Sequence, residues 1–198
     1  MLEAQAPLSR LRPTFTARDA VRAGVSRSAL QRLKSRGQVV ELARGVYRTA
    51  DAPEVAHEDL LAVSLHVPRA VVCTVSALAL HELTDEVPPV AQFAVPRSRN
   101  LPTLRYPPTE FLRFDSATFD LGRTSFAVSP GESVSVYDPA RSVVDVMRLR
   151  HRFGEALALQ ALRRYLARSD SKPGVLVSYA RQLRVEGPVS KAVDVVLS

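Results

Sequence analysis

The residues best suited to recognition chemistry crowd into one short stretch. Arg27, Gln31 and Lys34 recur at i, i+4 and i+7, and Ser28, Arg32 and Ser35 form a neighbouring strip. A helix with this spacing turns both strips away from an apolar strip of Ala29, Leu30 and Leu33. Arginine can donate two parallel N–H bonds to guanine O6 and N7, and glutamine matches adenine N6 and N7. Ser26 precedes the first helical position, where a hydroxyl and the amides of the first turn suit a phosphate. Arg36 closes the helix. Beyond it, Arg44-Gly45 makes a basic turn that Tyr47 and Arg48 follow. Tyr47 has two readings: a ring packed into the core, or a hydroxyl on a phosphate. A merely solvated helix face would explain Arg27 to Arg36 but not why the next element is basic as well.

These side chains need particular elements to carry them. Thr16 is a candidate N-cap with Asp19 at the third helical position, a variant of the capping box. The helix it starts runs to about Ala23, and Gly24 ends it. Ser26 caps a second helix over 27–36, which Gly37 terminates. Residues 39–42 and 45–49 read as two strands around a turn at 43–45. Helix, turn, capped helix and hairpin in this order are the layout of a winged helix-turn-helix. In that layout the second helix enters the major groove with its N-terminal residues nearest the bases. The predicted double-stranded-DNA contacts are Thr16, Ser26, Arg27, Ser28, Gln31, Arg32, Lys34, Ser35 and Arg36 from the helices. Arg44, Gly45, Tyr47 and Arg48 complete them from the wing.

The charge distribution agrees. The first 50 residues hold ten Arg or Lys and three acids, while the other 148 hold 17 of each, so the whole excess of +7 sits in one quarter of the chain. Uneven loading of this kind points to a polyanion partner for that quarter alone. A hydrophobic content of 46% excludes global disorder. The lone Cys73 excludes an intramolecular disulfide and a cysteine-based zinc site, and it sits in an apolar run that predicts a buried thiol. The four histidines show no metal spacing, and no cofactor is expected. Met1–Ser9 lacks the apolar core of a signal peptide, and no apolar run reaches the ~20 residues of a membrane span. The expectation is a cytoplasmic protein with no membrane association.

The rest of the chain predicts an α+β fold. A short helix is expected over 1–11, a linker at 51–54, then a helix over 57–67. Residues 71–75 read either as a short strand or as the lead into a helix over 76–83. Strands are expected at 92–95, 112–114, 125–128 and 134–137, and helices at 140–150, 155–168, 174–184 and 189–197. The domains implied are residues 1–52 and 53–198, with DNA binding in the first and a separable second activity in the other.

The stretch FTARDAVRAGVSRSALQRLKSRGQVVELARGVYRT resembles the N-terminal winged helix of AbiEi-type antitoxins. Gly24-Val25-Ser26 leads the second helix, Arg32-Leu33-Lys34-Ser35-Arg36-Gly37 closes it, and Arg44-Gly45-Val46-Tyr47 sits in the wing. VVCTVSALALHELTD and DPARSVVDVMRLRHRFGEALALQALRRYL are similar to stretches of that family's C-terminal domain, so the likeness spans about Phe15 to Leu166. The resemblance implies a bacterial antitoxin that represses its own operon by binding inverted repeats in the promoter. It also implies a cognate nucleotidyltransferase-like toxin, neutralised through the C-terminal domain without a necessary stable complex.

Enzymatic motifs are missing. There is no Gly-rich phosphate loop, and no Asp-x-Asp that could hold Mg²⁺ for the transferase chemistry of the toxin. His81-Glu82 with Asp85-Glu86 reads as a polar helix end. Asp138 precedes Pro139 and should cap the following helix. Arg141 and Asp145, one turn apart, should pair on an exposed helix, structurally or as part of a contact surface. Arg148, Arg150 and Arg152, with Arg163, Arg164 and Arg168, are locally basic inside a neutral domain. They read either as a surface for neutralising the toxin or as a solvated exterior. The rival readings of the whole chain are a winged-helix transcription factor with a sensor domain, and a DNA-targeted nuclease or transferase.

Overall fold

The computed structural model describes Leu8, residues 11–101 and residues 103–197, so the helix expected over 1–11 lies outside the described residues apart from Leu8 and Leu11. The chain forms a mixed α+β structure divided into two compact units. The first comprises Met1–Ala70 with Thr103–Thr109 and Phe126–Val134, and the second comprises Val71–Pro102, Glu110–Ser125 and Ser135–Ser198. The boundary expected near Pro53 therefore falls inside the first unit.

In the first unit, strand β1 (Thr14–Thr16) leads into helix α1 (Ala17–Arg22), and helix α2 (Arg27–Ser35) follows after a turn. Both helix starts are fixed by their own side chains. The Thr16 hydroxyl accepts from the Asp19 amide at 3.2 Å, while the Asp19 carboxylate accepts from the Thr16 amide at 3.0 Å. Ser26 Oγ accepts from the Ala29 amide at 3.2 Å. Gly24 takes φ +90° between the helices, a conformation that L side chains rarely adopt. Strands β2 (Val39–Ala43) and β3 (Val46–Thr49) form an antiparallel hairpin, and β1 adds to β3 to give the order β1-β3-β2. A register shift between Glu41 and Ala43 bends the hairpin next to its turn.

The core beneath consists of Phe15, Ala20, Val25, Leu30, Leu33, Val39 and Tyr47, with the Phe15 and Tyr47 rings stacked at 6.1 Å. Leu30 and Leu33 are the buried members of the apolar strip of α2, which fixes the helix's roll and faces its polar strips outward. Helix α3 (Glu58–His66) covers the hairpin from the other side, where Ala62 meets Leu42, Ala43 and Val46.

The second unit is built on a five-stranded sheet. Its strands are β4 (Val71–Val72), β5 (Ala91–Pro96), β6 (Thr109–Phe114), β7 (Arg123–Ser129) and β8 (Glu132–Tyr137), in the order β6-β5-β4-β8-β7. The near end of β7 and β8 around Gly131 is counted with the first unit. β4 runs antiparallel to β5 and parallel to β8. Of the two readings of 71–75, both are half right: two residues pair as a strand, and helix α4 (Thr74–Leu80) begins at once.

Helices α5 (Pro139–Arg148), α6 (Arg150–Phe153), α7 (Glu155–Leu166), α8 (Pro173–Gln182) and α9 (Glu186–Leu197) complete the unit. Val143, Val144, Met147, Leu162 and Leu176 centre their core. Cys73 is fully buried, and that burial pushes its thiol far above the ordinary range, which leaves it inert. Among the described residues no helix is long and apolar enough to cross a membrane.

Candidate nucleic-acid interface

Helix α2 presents a continuous basic and polar face. Arg27, Ser28, Gln31, Arg32, Lys34, Ser35 and Arg36 are all exposed, as is Arg44 at the hairpin turn. Among the described residues, Arg27, Arg32, Arg36 and Arg44 make no ion pair. Four guanidinium groups are thus held out to solvent by a buried apolar strip and a closed turn. The turn itself needs Gly45, which takes φ +77°.

One acidic side chain organises this face. Glu41 bridges helix and hairpin: one carboxylate oxygen accepts from Lys34 Nζ, and the other accepts from the Gly45 amide at 3.0 Å. Partial burial pushes its carboxyl up, but the bonds from Lys34, the Gly45 amide and Tyr47 outweigh that and leave it below the ordinary glutamate value. Lys34 is held above its ordinary value by the same bond. The helix end and the turn that carries Arg44 are therefore tied to each other. Sequence reasoning passed over Glu41 because an isolated acid in a strand gives no local signal.

The other predicted contacts divide. Ser26 and Ser28 share a hydrogen bond at 3.0 Å at the exposed start of α2, and Ser35 donates back to the Arg32 carbonyl at 3.0 Å. Thr16 is engaged in its capping box. Tyr47 is 5% exposed and packs as core, the first of its two readings.

Arg48 is a correction. It is 6% exposed, and its guanidinium pairs with Glu132 at 2.7 Å and donates to Thr14 Oγ1 and the Pro53 carbonyl. Glu132 also accepts from the Thr14 amide at 2.9 Å. Its strand neighbours turn Arg48 inward, so it is a structural cation with no phosphate to meet. The supposed linker supplies one of its acceptors.

In the second unit four of the six predicted basic residues are matched by acids. Arg148 reaches Asp145 at 3.0 Å and lies over the Phe114 ring at 4.9 Å, and Arg152 pairs with Glu110. Arg164 pairs with Asp85, and Arg168 with Asp170 at 2.8 Å while also donating to the His81 carbonyl. Arg150 donates to the Met147 carbonyl at 3.1 Å, and Arg163 is exposed and makes no ion pair among the described residues. The six do not form one basic patch. Arg148 and Arg152 lie against β6, whereas Arg164 and Arg168 lie against the segment 81–85.

Arg141 and Asp145 are the second correction. Their pair was expected on an exposed face, yet both are 0% exposed, with Arg141 Nε 2.9 Å from Asp145. Arg141 also donates to the Thr118 and Leu121 carbonyls and stacks at 4.3 Å over Tyr137. A Cβ on Gly122 would come within 2.7 Å of Arg141 Cβ, so this backbone must carry glycine. The expected cap is present: Asp138 accepts from the Arg141 amide at 2.7 Å and from Tyr179 Oη at 3.0 Å. Among the described residues no three His, Cys, Asp or Glu side chains converge in a way that could hold a metal ion.

Geometry and charge together define the class: a mixed α+β chain whose N-terminal unit carries an exposed basic helix face, on which Lys34 alone makes an ion pair among the described residues. Residues 5–50 match the family model described as "Transcriptional regulator, AbiEi antitoxin", and this segment is identified as a domain of that family. The whole fold is similar to the crystal structure of the RV2827C protein from Mycobacterium tuberculosis. That likeness has a TM-score of 0.64 at 16% identity and covers 96% of this chain and 74% of that one. No curated protein matches the chain in sequence.

Proposed function

We propose that the chain is a DNA-binding antitoxin with no enzymatic activity of its own. Its N-terminal unit acts as a winged helix-turn-helix on inverted repeats in its own promoter and represses the operon. Its second unit neutralises a nucleotidyltransferase-like toxin, with or without a stable complex. The observation that carries the DNA-binding half is the set of exposed guanidinium groups on α2 and the hairpin turn that make no ion pair among the described residues. Side chains held out in this way can neutralise phosphates and release counterions at no cost in internal pairs. Arg27 and Gln31, at the N-terminal half of α2, are the base-reading pair. Arg44 is the backbone or minor-groove contact of the wing. The neutralising half rests on the family match of residues 5–50 and on the resemblance of the later stretches.

The test is a fluorescence-anisotropy titration of the full chain against two duplexes, one spanning the region upstream of its own reading frame and one scrambled. Arg27→Ala should cost ~1–3 kcal/mol on the upstream duplex and much less on the scrambled one. Equal losses on both would remove the base-reading role and leave a phosphate contact. For the second unit, growth should be restored in cells making the neighbouring toxin from a foreign promoter, where repression contributes nothing.

A further inference from the structure

The first unit contains a segment that the sequence places far from the hairpin. Thr103–Thr109, ahead of and at the start of β6, folds with the N-terminal elements. Tyr106 there lines an open groove of about 580 Å³, together with Lys34 at the end of α2, Val40 and Glu41 of β2, and Arg44 at the turn. β2 is the edge strand of its sheet, so the groove runs along a free strand edge between the end of the reading helix and the hairpin turn.

Two features make this segment more than a passing loop. Tyr106 is 61% exposed although a large aromatic ring normally seeks cover, and Arg105 beside it is exposed and makes no ion pair among the described residues. Pro107 behind them is buried and anchors the pair. The groove carries Lys34 and Arg44 against a single acid, Glu41. That acid is already engaged by Lys34 and the Gly45 amide. The groove thus keeps one cation without an ion pair among the described residues, Arg44, and one aromatic wall, Tyr106, with Arg105 next to Tyr106 in the chain.

We propose that the 103–106 segment is a third DNA-contacting element. Arg105 bonds a phosphate of the duplex held by α2 and the wing. Tyr106 lays its ring against the adjoining sugar and gives its hydroxyl to the backbone. The chemistry matches the duplex backbone, in which a regular line of phosphates alternates with apolar sugar faces. Such contacts fix register without reading sequence. The inference rests on the DNA-binding reading above and extends it to residues outside the helix and wing.

The experiment uses the full chain with Arg105→Ala, Tyr106→Ala, Tyr106→Phe and, as a reference, Arg44→Ala. Each is titrated with the upstream and the scrambled duplex over a salt series. Both positions are exposed, and unchanged melting temperatures confirm folding. Arg105→Ala should weaken binding to both duplexes alike and lower the log–log salt slope by about 0.9, as for one lost phosphate contact. Tyr106→Ala should weaken both more than Tyr106→Phe does. If Arg44→Ala lowers the slope while the Arg105 and Tyr106 variants leave affinity and slope unchanged, the third element is wrong and the DNA-binding reading stands. If the unaltered chain binds neither duplex, both fall. If Tyr106→Ala changes the sedimentation of the free protein but not its salt slope, the groove is a contact between two copies of the chain and the proposal is overturned.

Discussion

The arginines of α2 and its hairpin turn and most of those in and beside the late helices have opposite fates. Arg27, Arg32, Arg36 and Arg44 stand in solvent and make no ion pair among the described residues, whereas Arg148, Arg152, Arg164, Arg168 and Arg181 each lie against a carboxylate. The residue type is the same, so what differs is the supply of acids. A surface pair contributes little stability, but it occupies the guanidinium that a polyanion would need. A basic run in a neutral domain is therefore poor evidence of a binding face, while a basic run in a segment short of acids is good evidence.

The sharpest way to break the comparison is to remove an acid where the pairing is buried. Asp145 lies between Arg141 and Arg148 with no exposure. Burial pushes its carboxyl up, against the pull of the two guanidinium groups. Asp145→Ala should cost about 3–5 kcal/mol, since it strands a buried cation. Urea unfolding followed by circular dichroism measures this, and a loss below ~1 kcal/mol would mean that the carbonyls of Thr118 and Leu121 suffice for Arg141.

Next in size is Glu132→Ala in the first unit, expected to cost about 3 kcal/mol because Arg48 keeps its bonds to Thr14 and Pro53. A chain cut after residue 52 suffers the same loss and also loses α3, which covers the hairpin. Such a fragment should give a broad, weak melting transition and bind DNA less tightly than the full chain. A fragment 1–52 that melts cooperatively near the full chain's temperature would support a boundary at Pro53.

The smallest effect concerns the Glu41 bridge. Its folded carboxyl lies below the ordinary glutamate value, so its stabilising contribution is complete above about pH 4.3 and fades as pH falls through the lower folded value. The unaltered chain should therefore melt higher than Glu41→Gln at pH 6, and the gap should close toward pH 3. A gap that persists at pH 3 would show that the bridge works through shape and not charge.

The parts of this molecule legible in the sequence are those whose causes are local. Thr16 with Asp19, Ser26 with the Ala29 amide, and Gly24 at the turn lie within a few residues of the groups they satisfy, and each was placed correctly. The strands were found, with ends shifted by a few residues, because alternation is also local. Burial of a charge was not legible. Arg48 and Glu132 are 84 residues apart, and nothing beside Arg48 distinguishes it from Arg44. The i, i+4 spacing of Arg141 and Asp145 announced their pairing, but only the approach of Gly122 and the Tyr137 ring encloses it. Tyr106 escaped notice for the same reason, since its neighbours in the groove come from a distant stretch of the chain.

The Arg48–Glu132 pair also imposes an order in time. A ribosome that has completed the reading helix and its hairpin has made every predicted base contact, yet Arg48 has no counter-ion. Translation must add 84 more residues before Glu132 exists. Until then the Arg48 guanidinium lacks the carboxylate that meets it in the folded unit. Prematurely terminated products share that fault permanently. The first unit is therefore completed only after residues 71–102 and 110–125, which belong to the second unit, have also been translated.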